Sequence, residues 1–223
     1  MTLDLNVNQR KRRSLRMALF NSYQAVYNRA TPLQKSKYGP WYPTAHASCS
    51  LMAQRLNVET STVCGVVAAL SPGTRWEENL WSAWAALNGD WDTAWDYHTY
   101  GSLGIGRAKT IVQNDLTGQD AYKVISRGAS WKTQAFYNSL LLMPNSACVD
   151  AWIYRINQLG YKSSSPTTLF VRQAQAAIRM LASKENRPSY EIQSILWGRS
   201  RFEQGKPAYQ DTVSITQKLI NAE

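Results

Sequence analysis

Helical spacing of apolar residues runs through nearly all of this chain of 223 residues, and strand-like alternation is almost absent. The pattern constrains the fold more than any other feature, because residues three and four positions apart share one face of a helix, whereas a strand needs a period of two. Trp76, Leu80 and Trp84, for example, lie on one apolar stripe. We therefore predict an all-α fold class.

Proline, glycine and polar turns divide the helical pattern into segments. Gly39–Pro43 is expected to be a loop because two prolines cannot lie inside a helix, and Gly101–Gly106 because it holds three glycines. The basic run Arg10–Arg13 is expected to form an arm before the first helix. The predicted helices are Ser14–Asn28, Thr44–Leu56, Thr60–Leu70, Arg75–Leu87, Arg107–Asn114, Gln119–Ser126, Trp131–Leu142, Cys148–Leu159, Thr167–Ser183, Ser189–Arg199 and Thr212–Ala222.

The chain is strongly basic, and its charge is unevenly distributed. It holds 25 Lys and Arg against 15 Asp and Glu, a net charge of +10. Only residues 41–100 are acidic, with six acidic and two basic residues. A regional basic excess favours a polyanionic partner, with nucleic acid first and an anionic membrane surface second. Because the longest apolar stretches are far shorter than a membrane span, we expect DNA as the partner and no membrane association.

Cysteine and histidine are scarce. Cys49, Cys64 and Cys148 are widely spaced and odd in number, which indicates free thiols and a reducing compartment. No apolar segment of a secretory signal follows the N-terminal charges, so we expect an intracellular protein, in the cytoplasm of a bacterium or of an infected host cell. With only His46 and His98 available, a metal site has few ligands, and no cofactor is expected. We also expect a monomer.

Four short segments, in a fixed order, carry the chemical signals. Ala68–Thr74 is an apolar helix end followed by a polar turn, and Gly104–Thr110 is a glycine turn that opens a basic helix. Gly128–Thr133 is a turn with a lysine at the start of the next helix, and Val149–Arg155 places an acid before an apolar helix. Each segment alone is a weak signal, because glycine turns before helices are common.

Together the four segments resemble the helix-hairpin-helix (HhH-GPD) DNA glycosylase superfamily, the group of endonuclease III and adenine glycosylase. Leu70-Ser71 matches the family's early helix end, and Gly104–Ala108 matches its glycine turn into a Lys-Ala helix. Lys132-Thr133 fits the end of the hairpin motif, and Val149, Asp150 and Arg155 fit the motif of the catalytic acid. The separation of eighteen residues between Lys132 and Asp150 also equals the family spacing. The resemblance covers roughly residues 45–200.

The sequence departs from the family pattern at several places. Ser130 stands where the hairpin has its second glycine, Trp131 where it has an arginine or similar residue, and Trp152 where a histidine is common. No cysteine quartet follows Arg199, so the iron–sulfur loop of the family is absent. The segment Tyr38–His46 lies outside the common pattern and is similar to runs in phage-type relatives.

The resemblance implies a set of site residues. Asp150 and Lys132 take the catalytic positions. The expected DNA contacts are Gly128, Ser130, Thr133, Arg107, Lys109, Ser71 and Arg155, and the expected base pocket is formed by Trp41, Tyr42 and Trp152.

Two of these residues have a definite chemical role and a simpler alternative. Asp150 is the only acidic residue between Asp120 and Glu185, and a carboxylate there can stabilise the positive charge that builds on the sugar when a flipped base leaves. It can also serve only as a helix N-cap, a role worth about 1 kcal/mol. Lys132 can attack C1′ as a neutral amine and form a Schiff base, or it can bind a phosphate.

The resemblance further implies two helical lobes with a central cleft. We expect residues 1–45 to form a basic arm and helix on the C-terminal lobe, 46–145 a middle lobe with a hairpin near 120–142, and 146–223 the C-terminal lobe, with Lys132 and Asp150 facing each other. The leading function is a DNA glycosylase, with or without AP lyase activity, that acts on a damaged or modified base. One alternative is a phage-type enzyme that transfers an amine or amino acid to an activated 5-hydroxymethyl pyrimidine in DNA. The other is a DNA-binding module without catalysis.

Overall fold

The computed structural model describes residues 2–98, 101–128, 131–156, 167–206 and 212–221. Within these ranges the regular structure is entirely helical, which confirms the all-α fold class. The helices are α1 (Thr2–Arg29), α2 (Pro32–Tyr38), α3 (Trp41–Leu56), α4 (Thr60–Leu70), α5 (Trp76–Leu87), α6 (Trp91–Asp96), α7 (Gly101–Gln113), α8 (Gly118–Ser126), α9 (Trp131–Leu140), α10 (Ala151–Arg155), α11 (Thr168–Glu185), α12 (Ser189–Glu203) and α13 (Thr212–Asn221).

The chain forms two compact units. The first unit comprises Met1–Trp41 and Met143–Tyr209, and the second comprises Tyr42–Leu142 and Gln210–Glu223. The C-terminal helix α13 therefore departs from the expected lobe 146–223: it packs on α5 in the second unit, with Thr216 and Leu219 fully buried. None of the helices in the described ranges combines the length and hydropathy needed to cross a membrane.

The first unit is built on the contact between α1 and α11. Leu19, Tyr23 and Tyr27 form a buried stripe on α1 at helical spacing, and Ile178 and Leu181 supply buried residues from α11. The expected basic arm is itself helical, because no proline or glycine interrupts the chain before Arg29 and Arg and Lys are good helix formers. The helix α12 also packs on α1, α2, α10 and α11.

The second unit surrounds α4. Every residue of α4 from Thr62 to Leu70 is buried, and α5, α7, α8 and α9 pack around it. The expected loop Gly101–Gly106 is instead the first part of α7. A Cβ atom on Gly104 would lie 2.9 Å from the carbonyl oxygen of Ala69 and 2.6 Å from Nε2 of His98. Glycine at this position serves close helix packing, so a turn was the wrong interpretation.

The expected loop Gly39–Pro43 is also largely helical, because α3 begins at Trp41. Pro43 lies in the first turn of α3, where a backbone N–H has no partner within the helix and its loss costs little. A short helix that sequence periodicity did not predict, α6, starts after Asp90, whose side chain accepts a hydrogen bond from the backbone N–H of Thr93 at 3.1 Å.

Candidate active site

Asp150 lies at the start of α10 in the first unit, where its carboxylate caps the helix. Its Oδ1 atom accepts hydrogen bonds from the backbone N–H groups of Trp152 and Ile153, both at 2.9 Å. The preceding residues Ala147, Cys148 and Val149 are buried, whereas Asp150 itself is only half-buried. The backbone therefore fixes a carboxylate that still has exposed surface.

Arg201 of α12 is the charged neighbour of Asp150. Burial lowers the pKa of the Arg201 guanidinium, and the Coulombic attraction of Asp150 acts in the opposite direction. The same attraction, together with the two N–H donors, stabilises the negative charge of the Asp150 carboxylate. Asp150 is thus a half-buried carboxylate that is oriented by the backbone and attracted by a guanidinium group.

Two tryptophan rings lie against the Arg201 guanidinium, and a third lies beside one of them. The guanidinium carbon of Arg201 lies 4.9 Å from the ring centroid of Trp152 and 4.9 Å from that of Trp197. The rings of Trp197 and Trp41 have centroids 6.3 Å apart and are tilted by 43°. Each of the three tryptophans is half-buried, so part of each ring surface stays accessible.

Arg155 extends the same surface. It is exposed, and its guanidinium carbon lies 5.0 Å from the Trp152 ring centroid. A surface of aromatic faces and guanidinium groups can stack on a nucleobase and contact phosphate oxygens. We call Asp150, Trp152, Trp197, Arg201, Trp41 and Arg155 the Asp150 cluster. It brings four of the sequence-predicted site residues together in the first unit.

The predicted hairpin lies in the second unit, between α8 and α9, which pack on each other. Gly128 has φ of +78°, a left-handed conformation that glycine adopts without strain. Lys132 is the second residue of α9 and is exposed. The predicted phosphate contact Ser130 lies outside the described residues. Gly128 therefore follows α8 and Lys132 opens α9, while the role of this segment as a DNA-binding hairpin and the facing of Lys132 and Asp150 stay predictions.

Two predicted DNA contacts of the second unit are buried instead. The Thr133 side chain points into the protein with 2% exposure, which leaves it no surface for DNA. Arg107 is 8% exposed, and its Nη2 group donates a hydrogen bond to the carbonyl oxygen of Arg127 at the end of α8. Burial lowers the pKa of Arg107. Because its guanidinium supports the hairpin from inside, the prediction of a direct DNA contact was wrong.

The remaining predicted residues of the second unit have mostly structural roles. Ser71 ends α4, and its hydroxyl donates to the carbonyl oxygen of Ala68 at 2.9 Å. Tyr42 is 2% exposed and meets Phe136 edge to face, so it is a core residue and not part of a base pocket. Lys109 is half-buried, with its amine 5.3 Å from the Trp91 ring centroid.

Residues 6–202 match a family described as "Family of unknown function (DUF7178)". The chain belongs to this family. No curated protein and no solved structure matches the chain. The matched region of this DUF7178 member contains every residue of the Asp150 cluster and of the hairpin.

Sequence reasoning missed two members of the Asp150 cluster, Trp197 and Arg201. They lie four residues apart on α12 and therefore share one face of that helix. Trp197 lies within the predicted helix Ser189–Arg199, and Arg201 lies just beyond it. A signal was present, since an arginine one turn after a tryptophan is a common cation–π arrangement, but nothing in the sequence connects α12 to Asp150.

Proposed function

We propose that this protein is a DNA glycosylase and that Asp150 is its catalytic carboxylate. One observation carries the proposal: a half-buried carboxylate that the backbone orients lies beside accessible tryptophan faces and guanidinium groups, on the residues that resemble the glycosylase motif. Breaking an N-glycosidic bond requires an anion near C1′ and a surface that holds an extruded base. The Asp150 cluster supplies both kinds of group.

The chemistry follows from the charge that develops on the sugar. The C1′–N bond breaks, its electron pair leaves with the base, and the base takes up a proton. Positive charge then spreads over C1′ and the ring oxygen, and the Asp150 carboxylate stabilises it. Water, deprotonated by Asp150, adds to C1′ in a monofunctional enzyme. In a lyase, the Lys132 amine adds to C1′ instead and gives up a proton to water. The C1′–O4′ bond then breaks, O4′ takes up a proton, and a Schiff base forms. Loss of a proton from C2′ then expels the 3′ phosphate with the electrons of the C3′–O bond.

The aromatic rings of the cluster serve base recognition. An unpaired base stacks on tryptophan with a gain of roughly 1–3 kcal/mol per base, which offsets part of the cost of extrusion. Trp152 and Trp41 have accessible surface, whereas Tyr42 is buried and therefore cannot contact a base. The exposed run Arg10–Arg13 on α1 adds phosphate affinity from the first unit.

A second candidate is a DNA-binding module without catalysis. The observation that favours it is the double cap, because Oδ1 of Asp150 already accepts two backbone hydrogen bonds and so has a structural role. In this alternative the carboxylate charge is dispensable, and any side chain that caps α10 suffices.

Mass spectrometry of oligonucleotides that carry candidate damaged or modified bases tests the proposal. We expect the protein to release free base and leave an abasic site or a nicked strand. A mass gain on an intact strand would contradict glycosylase chemistry and indicate the base-modifying transferase. If the protein binds single-stranded or double-stranded DNA but changes the mass of no oligonucleotide, the result would support the DNA-binding module without catalysis.

A further inference from the structure

A polar groove lies in the first unit where α11 ends and α12 begins. It has a volume of about 390 Å³, and its lining includes Asn145, Arg179, Ser183, Asn186 and Arg187. The volume is within the range of about 300–1,000 Å³ that small-molecule sites occupy. It therefore has room for a phosphate group together with part of the molecule that carries it. None of these five residues belongs to the Asp150 cluster.

Arg179 is the unneutralised charge of this groove. Arg179 is exposed, and partial loss of water lowers its pKa, which the positive charge of Arg16 lowers further. Arg16 in turn donates a hydrogen bond from Nε to Oε1 of Gln173 at 2.9 Å, which is a neutral acceptor. Among the described residues, Arg179 forms no ion pair with a carboxylate. Two neighbouring guanidinium groups thus repel each other, and an anion between or beside them would relieve this repulsion.

The nearby carboxylates are engaged with other groups. Glu191 accepts a hydrogen bond from Nη1 of Arg187, and Glu185 is hydrogen-bonded to Tyr27. The groove consequently carries the positive charge of Arg179, which no carboxylate among the described residues neutralises. The side chains of Asn145, Ser183 and Asn186 add neutral hydrogen-bond donors along its wall.

We propose that this groove is a phosphate-binding site and that Arg179 provides its principal contact. A guanidinium group binds two phosphate oxygens with parallel hydrogen bonds, and the hydroxyl and amide donors satisfy the remaining oxygens. The ligand is a phosphate ester, either a phosphodiester of nucleic acid or a small phosphorylated molecule. The inference does not rest on glycosylase activity, since it concerns binding in a separate groove.

Isothermal titration calorimetry on the full chain tests the site with three probes: inorganic phosphate, a nucleoside 5′-monophosphate and an oligonucleotide without terminal phosphate. Arg179→Gln is compared with Arg172→Gln, which removes the same charge from an exposed position of α11 outside the groove. We expect Arg179→Gln to lower the affinity for at least one probe about tenfold or more, which is the loss typical of a charged hydrogen bond. Arg172→Gln should change the affinity for that probe less than about twofold.

The pattern across the probes identifies the ligand. If only the affinity for the oligonucleotide falls, the groove binds a nucleic-acid backbone. If the affinity for the monophosphate also falls, the groove binds a small phosphate ester. Ser183→Phe fills the groove at an exposed position without a change of charge and should weaken the same probe. If Arg179→Gln and Arg172→Gln are equivalent for all three probes, or if Ser183→Phe binds every probe normally, the site does not exist. Neither result affects whether the protein releases bases.

Discussion

Asp150 and Thr133 both lie near the start of a helix, and the glycosylase motif assigns a function to both, yet their surroundings differ. Asp150 is half-buried beside accessible tryptophan rings and Arg201. Thr133 is 2% exposed, and Arg107 donates a hydrogen bond to the carbonyl oxygen of Arg127. The first region keeps part of its aromatic and charged surface exposed to solvent, whereas in the second Thr133 and Arg107 are buried.

A residue can therefore match a position of the motif without having the chemical role of that position. A motif specifies spacing along the chain, but exposure depends on which face of the helix packs against its neighbours. In α9 the exposed residue is Lys132, one position before buried Thr133. If the hairpin region takes part in chemistry at all, it does so through Lys132.

The largest effect is therefore expected at Lys132. If the protein is a lyase, borohydride reduction traps a covalent protein–DNA adduct, and Lys132→Gln abolishes that adduct because the attacking amine is gone. Lys123→Gln is the matched control, since Lys123 is an exposed lysine of α8 that pairs with Asp120 at 2.7 Å. An adduct that survives in Lys132→Gln would exclude Lys132 as the nucleophile. If no adduct forms with the unaltered protein, the hairpin region serves binding alone.

A smaller effect should appear in stability, with the larger loss in the hairpin region and the smaller loss in the Asp150 cluster. Arg107→Met removes a buried donor from the Arg127 carbonyl and should lower the free energy of unfolding by about 1–3 kcal/mol. Arg155→Met removes only an exposed cation–π contact and should cost less than about 1 kcal/mol. Chemical denaturation of both variants measures the difference. Equal losses would show that the Asp150 cluster depends on its arginines for folding as much as the hairpin does.

Much of the fold follows from the sequence alone. The helices α4 and α5 lie within one residue of their predicted bounds, because clean apolar periodicity ends at Ser71 and Asn88. The two wrongly predicted loops share one cause. Glycine and proline indicated loops at Gly101–Gly106 and Gly39–Pro43, whereas Gly104 permits close packing and Pro43 lies in a first helical turn. Local sequence propensity does not show which neighbouring helix packs against such a residue.

The candidate site was predictable to a different degree. Asp150 was found from its isolation among apolar residues and from its motif, and Trp41 and Trp152 from their aromatic character. Arg201 and Trp197 were missed because their link to Asp150 is made only when α12 packs on α10. Thr133, Arg107 and Tyr42 were misjudged because spacing along the chain carries no information about which side chain a neighbouring helix covers.

In the proposed mechanism the charge of Asp150 stabilises the sugar cation, and the single-turnover rate of base release by Asp150→Asn measures that contribution. Asparagine keeps an oxygen that can cap α10, so folding and DNA affinity should stay nearly normal while the carboxylate charge is lost. Asp90→Asn is the matched control, because Asp90 also caps a helix, α6, and is exposed. The account predicts that Asp150→Asn lowers the rate constant by about 10²-fold or more, with no change in Asp90→Asn. A near-normal rate in Asp150→Asn would contradict the account and leave Asp150 as a helix cap.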